Sequence, residues 1–179
     1  MNSMPIGELL TRATVWLSLA GYSSSLVLFL FAHGRRSWDA AARIFWTVAC
    51  AGLLAHILCA YHFFHDWSHG SAYLETARQT SEVYGLYWGG GLYINFLLMI
   101  GWIADVIWWW RGIEKYRNRP AIVSITWHAF LYFIFFNATV VFEGGILRWA
   151  GLLFTAATVS VFLYKAIKSS LGKTVVSER

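Results

Sequence analysis

Residues 88–110 read Trp-Gly-Gly-Gly-Leu-Tyr-Ile-Asn-Phe-Leu-Leu-Met-Ile-Gly-Trp-Ile-Ala-Asp-Val-Ile-Trp-Trp-Trp, and Arg111 follows. One formal charge, Asp105, interrupts a run that as a helix is long enough to cross the roughly 30 Å hydrocarbon layer, which takes about 20 residues. Comparable runs lie at 15–33, 42–64, 120–142 and 146–165. Pro120 suits the first turn of its run, where a missing N–H costs nothing. Glu143, Gly144 and Gly145 are too few to join the last two runs except as a tight antiparallel helical hairpin.

Composition agrees with lipid as the solvent. Of 179 residues, 58% are hydrophobic and 13% charged, too few charges for the surface of a water-soluble domain. Aromatic residues make up 18%, with 11 tryptophans, and such rings are favoured at the headgroup level. Trp108, Trp109 and Trp110 have the position of an interfacial girdle, and Gly89, Gly90 and Gly91 that of a close packing contact. The net charge of +5 is distributed at the ends of apolar runs, which argues against a nucleic-acid face. Arg35, Arg36 and Arg43 lie between the first two runs, Arg111, Lys115, Arg117 and Arg119 between the third and fourth, and Lys165, Lys168, Lys173 and Arg179 after the fifth. Only Arg12, Arg78 and Arg148 fall on the other side. Positive charge concentrates in cytoplasmic loops, so the alternation predicts a single all-α domain over 1–179 with five transmembrane helices. It also places the N-terminus outside and the C-terminus in the cytoplasm, in a multi-pass protein of the cell (inner) membrane. The first run lacks a preceding basic region and a small-residue cleavage signal, so it is expected to be a retained span.

The segment 65–87 is polar but not disordered in composition, and Glu75, Arg78 and Glu82 are spaced for local ion pairs. It is expected to form a structured outer cap. At its start stands Tyr61-His62-Phe63-Phe64-His65-Asp66-Trp67-Ser68-His69. If the second helix continues past Phe64, then His65, Asp66 and His69 fall within about 60° of His62, and all four share one face. Three imidazoles and a carboxylate there are expected to hold a transition metal (zinc, copper or iron), with an open position for redox or metal-handling chemistry. Glu82, Glu143, Asn95 and Asn137 lie at similar depth and are candidates to complete or orient that set. The bland alternative is a group of interfacial histidines on a solvated helix end.

Asp105 and His128 are both within about 12 Å of the opposite membrane face, and a buried hydrogen-bonded pair would account for both. Such a pair serves either helix packing or proton transfer. His56 stands alone, as a buried hydrogen-bonded histidine. A haem between His56 and His128 is disfavoured because the two differ in depth by about 8 Å. Cys50 and Cys59 lie on opposite sides of one helix and cannot pair within it. The sequence has no zinc-protease, haem-attachment, nucleotide-loop or desaturase histidine motif. The expected partner is therefore the lipid bilayer. Besides the metal protein, the remaining readings are an accessory or assembly subunit of a larger membrane complex, and a small transporter or proton path using Asp105 and His128.

Overall fold

A computed structural model describes residues 5–31, 36–142, 144–146 and 148–161. These residues are predominantly helical, with no strand among them. The chain divides between Ser124 and Ile125 into two compact units.

In the first unit α1 spans Ile6–Phe31, α2 Arg36–Phe64, α3 His69–Tyr84, α4 Gly91–Trp110 and the short α5 Ile113–Arg117. Helix α1 starts well before the expected residue 15. Pro5 supplies a carbonyl that accepts from Leu9 N–H, and Glu8 sits in the first turn, favoured by the helix dipole and paired with Arg12 at 2.8 Å. Helices α1 and α2 run antiparallel along a seam of small residues. A Cβ on Gly21 would stand 2.9 Å from the Phe45 carbonyl oxygen, and one on Gly52 would stand 2.9 Å from the Ser18 backbone nitrogen. The glycines thus let two backbones approach to a distance that no larger residue permits, the usual route to tight packing where lipid removes the hydrophobic drive. Ser25 Oγ crosses the seam to the Ala42 carbonyl at 2.9 Å.

Helix α4 packs antiparallel on α2 through Trp46, Trp102 and Trp109. Helix α3 is built by its own ends. Ser68 caps it by accepting from Ser71 N–H, and Gly85, at φ 70°, closes it by donating to the Ser81 carbonyl. Arg78 holds both Glu75 and Glu82 on its outer face.

Helix α6, Ala121–Phe136, continues as a π-helical turn over Asn137–Val141. Residues 148–161 form α7, which runs antiparallel to α6 within the second unit. There Phe135 meets Phe154 at 5.0 Å, and Gly151 faces Thr139 so closely that a Cβ would stand 2.6 Å from the Thr139 hydroxyl. Tyr132 OH donates to the Thr155 carbonyl at 3.1 Å.

Three helices, Ser37–Phe64, Gly91–Trp110 and Ala121–Val141, are long and apolar enough to cross a membrane. Large apolar side chains along them, such as Leu97, Ile100, Ile122 and Ile125, face outward and suit a lipid environment. Of the five expected spans, the first falls mainly within α1 and the last mainly within α7, and their ends at 32–33 and 162–165 lie outside the described residues.

Candidate functional site

Two polar clusters occupy opposite ends of the first unit. The first forms where α2 ends, and here the structure departs from the expected geometry. Helix α2 stops at Phe64. Asp66 and Trp67 both adopt positive φ, 47° and 59°, and Trp67 N–H turns back to the Tyr61 carbonyl at 3.0 Å. The continuous helical face expected for His62, His65, Asp66 and His69 is therefore not formed, because left-handed backbone reverses the chain before His69 opens α3. Among the described residues no three His, Cys, Asp or Glu side chains stand together as a metal-holding group.

The reversal brings together a different set. His69 Nδ1 lies 3.3 Å from Tyr61 OH on α2, and its Nε2 lies 3.3 Å from Tyr93 OH on α4. The ring also stacks on Phe96 at a centroid distance of 6.0 Å. Three helices thus meet on one imidazole. His65 Nδ1 stands 3.4 Å from Ser71 Oγ, and the His62 ring rests against Phe63 and Trp67. Trp67 is 60% exposed and Asp66 is exposed beside it.

The remaining expected members are dispersed. Glu82 pairs with Arg78, whose Nη1 donates to it, and Asn95 is exposed on α4. Asn137 belongs to the second unit, where its side-chain amide donates to the Phe133 carbonyl at 2.8 Å. Glu143 lies outside the described residues. Glu75 is also held by Arg78, at 2.6 Å, and that hydrogen bond keeps its carboxyl below the usual carboxylate range.

The second cluster surrounds Asp105 near the end of α4. Its Oδ2 accepts from Trp46 Nε1 and from Tyr116 OH, both at 2.9 Å, and its Oδ1 accepts from Arg119 Nη1 at 2.5 Å. Both charged residues are buried. Arg119 is further held by Nε donation to Ser124 Oγ at 2.7 Å, and its guanidinium lies 4.1 Å over the Tyr116 ring. Tyr116 in turn stacks on Trp109 at 4.5 Å, with an interplanar angle of 4°. Burial and the Asp105 carboxylate push the Tyr116 hydroxyl above its ordinary value, so it remains a donor. His128, expected beside Asp105, belongs to the second unit, and three donors from the first unit meet the carboxylate.

Sequence reasoning singled out Asp105 as an acid that needs a partner but missed Trp46, Tyr116 and Arg119. A signal existed for Arg119: it stands just before Pro120, at the end of the loop that follows α4, where a chain reversal can return it to the helix terminus. His56 Nδ1 lies 2.9 Å from the Thr11 carbonyl of α1. No protein-family model matches this chain, and no curated protein or solved structure is significantly similar to it.

Proposed function

We propose that this chain is a five-span membrane protein, N-terminus outside and C-terminus in the cytoplasm, that carries protons inward and takes them up at its outer end through Tyr61, His69 and Tyr93. The carrying observation is that each ring nitrogen of His69 lies 3.3 Å from a tyrosine hydroxyl. In a neutral imidazole one nitrogen donates and the other accepts, whereas a hydroxyl does either. A proton reaching one hydroxyl displaces that hydroxyl's own hydrogen onto the bare ring nitrogen. The ring then releases its N–H hydrogen to the second hydroxyl, which sheds one to water. One proton has moved across the ring and the imidazole has changed tautomer, with no net charge left behind. Imidazole suits this role as the side chain that changes protonation in the neutral range. The five-span topology is supported by the alternation of basic residues and by three membrane-length helices.

The test is proton movement into proteoliposomes that trap a pH-sensitive dye. His69→Gln, which keeps hydrogen bonding but removes the relay, should slow it about tenfold or more, and Tyr61→Phe or Tyr93→Phe should each slow it. Equal rates in wild type and His69→Gln would eliminate the reading. Zinc, copper or iron bound stoichiometrically to the purified protein, and lost in His69→Gln, would put the metal-handling reading first instead.

A second reading, an accessory subunit of a membrane complex, is favoured by the apolar stretch that spans the end of α3 and the residues after it. Val83, Tyr84, Leu86, Tyr87 and Trp88 are all exposed before the span of α4 begins, with the residue composition of a protein contact. A stoichiometric partner that is retained in His69→Gln but lost in a Leu86→Ser, Tyr87→Ser double variant would establish it.

A further inference from the structure

We propose that Arg43, Trp110 and Arg111 form a headgroup site for an anionic phospholipid at the end of the first unit opposite the histidines. The guanidinium carbon of Arg43 lies 4.1 Å over the ring of Trp110. That ring is fixed, because Trp110 Nε1 donates to Thr47 Oγ1 at 2.9 Å, one turn along α2 from Arg43. The Nε of Arg43 is buried without a hydrogen-bond partner among the described residues. Asp39, one turn before Arg43 and the acid best placed to neutralise it, is held by Arg117 instead. Arg43 is thus a partly desolvated cation, clamped on an aromatic plane, whose charge no described carboxylate takes. Arg111, exposed at the C-terminal cap of α4, follows Trp110 directly and adds a second positive charge at the same edge.

The surroundings select a lipid over a free anion. Ile44 beside Arg43 and Ile107 one turn before Arg111 are both exposed on the membrane-length helices. A phosphate here would sit at the end of an apolar strip that an acyl chain can cover. A phosphodiester on a two-chain lipid satisfies both halves of the surface, and an inorganic phosphate only one. Arginine binds phosphate bidentately while its stem and the indole remain in the apolar layer, the arrangement expected at the headgroup level.

Binding is measured on purified protein in nanodiscs of phosphatidylcholine, titrated with phosphatidylglycerol and read by native mass spectrometry and by thermal midpoint. Phosphatidylglycerol should bind and raise the midpoint, whereas inorganic phosphate should do neither. At about 1 kcal/mol per basic residue near a surface, Arg43→Gln should weaken binding about fivefold. Arg111→Gln should weaken it by a similar factor, and it decides the matter if Arg43→Gln fails to fold. Arg12→Gln, an equal charge change elsewhere, should leave binding as in wild type. Wild-type affinity in both arginine variants, protection by phosphate alone, or an equal loss in Arg12→Gln would each overturn the site. None of these measurements depends on the proton-relay reading.

Discussion

The two polar ends of the first unit use similar residue types to opposite effect. At one end Asp105 and Arg119 are buried, and the carboxylate is surrounded by three donors at 2.5–2.9 Å. At the other, His65 and His69 meet hydroxyls at 3.3–3.4 Å, and His69, Tyr93 and Trp67 are exposed. Burial makes the difference. A charge removed from water is tolerable only when its lone pairs and its counter-charge are all met, which fixes it in one arrangement. An exposed polar ring loses little by breaking a long hydrogen bond, so it keeps the freedom that the proposed relay requires. The Asp105 cluster therefore ties the loop after α4 to α2 and α4, and the histidine end is held by fewer and longer contacts.

Removing one side of each cluster separates the two most strongly. Asp105→Ala strands the buried Arg119 cation and should cost about 3–5 kcal/mol, whereas His69→Ala at its exposed position should cost about 0.5 kcal/mol or less. Denaturation in detergent by urea or heat reads both, and comparable losses would undo the contrast. Trp46→Phe keeps most of the aromatic packing but deletes the indole N–H that Asp105 accepts. A loss of about 1.5–3 kcal/mol is expected, and less would show that the remaining two donors suffice. Ser68→Ala removes the cap of α3 and should cost about 1 kcal/mol, seen as lost helical ellipticity or faster amide exchange confined to 69–72. The smallest effect belongs to Glu75. Its folded-state pKa is depressed by Arg78, so its stabilisation is present above its ordinary value near 4.5 and is lost as pH falls through the lower folded value. The midpoint difference between wild type and Glu75→Gln should therefore shrink on acidification below pH 4.5, and a constant difference would remove the pair from the account.

Much of this architecture was legible in the linear chain because lipid imposes a simple code. Backbone in hydrocarbon must satisfy itself, so runs such as 91–110 can only be helices, and their length reports the layer they cross. The end of α2 carried signals that a helical-face argument overlooked. Asp66 is a residue type that tolerates left-handed backbone, Ser68 is a strong helix cap, and Gly85 marks the matching stop. Weighing those against periodicity would have broken the helix at Phe64. The seam between α1 and α2 was legible in part, since Gly21, Gly52, Ser18 and Ala49 are small. Their mutual register across two helices was not, because spacing within a helix does not say which residue of a neighbour lies opposite.

Hydropathy and charge alternation are sums over many residues, so local errors cancel, and the all-helical, membrane-length character follows from the chain alone. Which donors reach Asp105, and which hydroxyls flank His69, depend on contacts between residues as distant as Trp46 and Asp105 or His69 and Tyr93. Such pairings are fixed only when helices are packed and loops closed, because a hydrogen bond is decided within about half an ångström and a hydrophobic run is not.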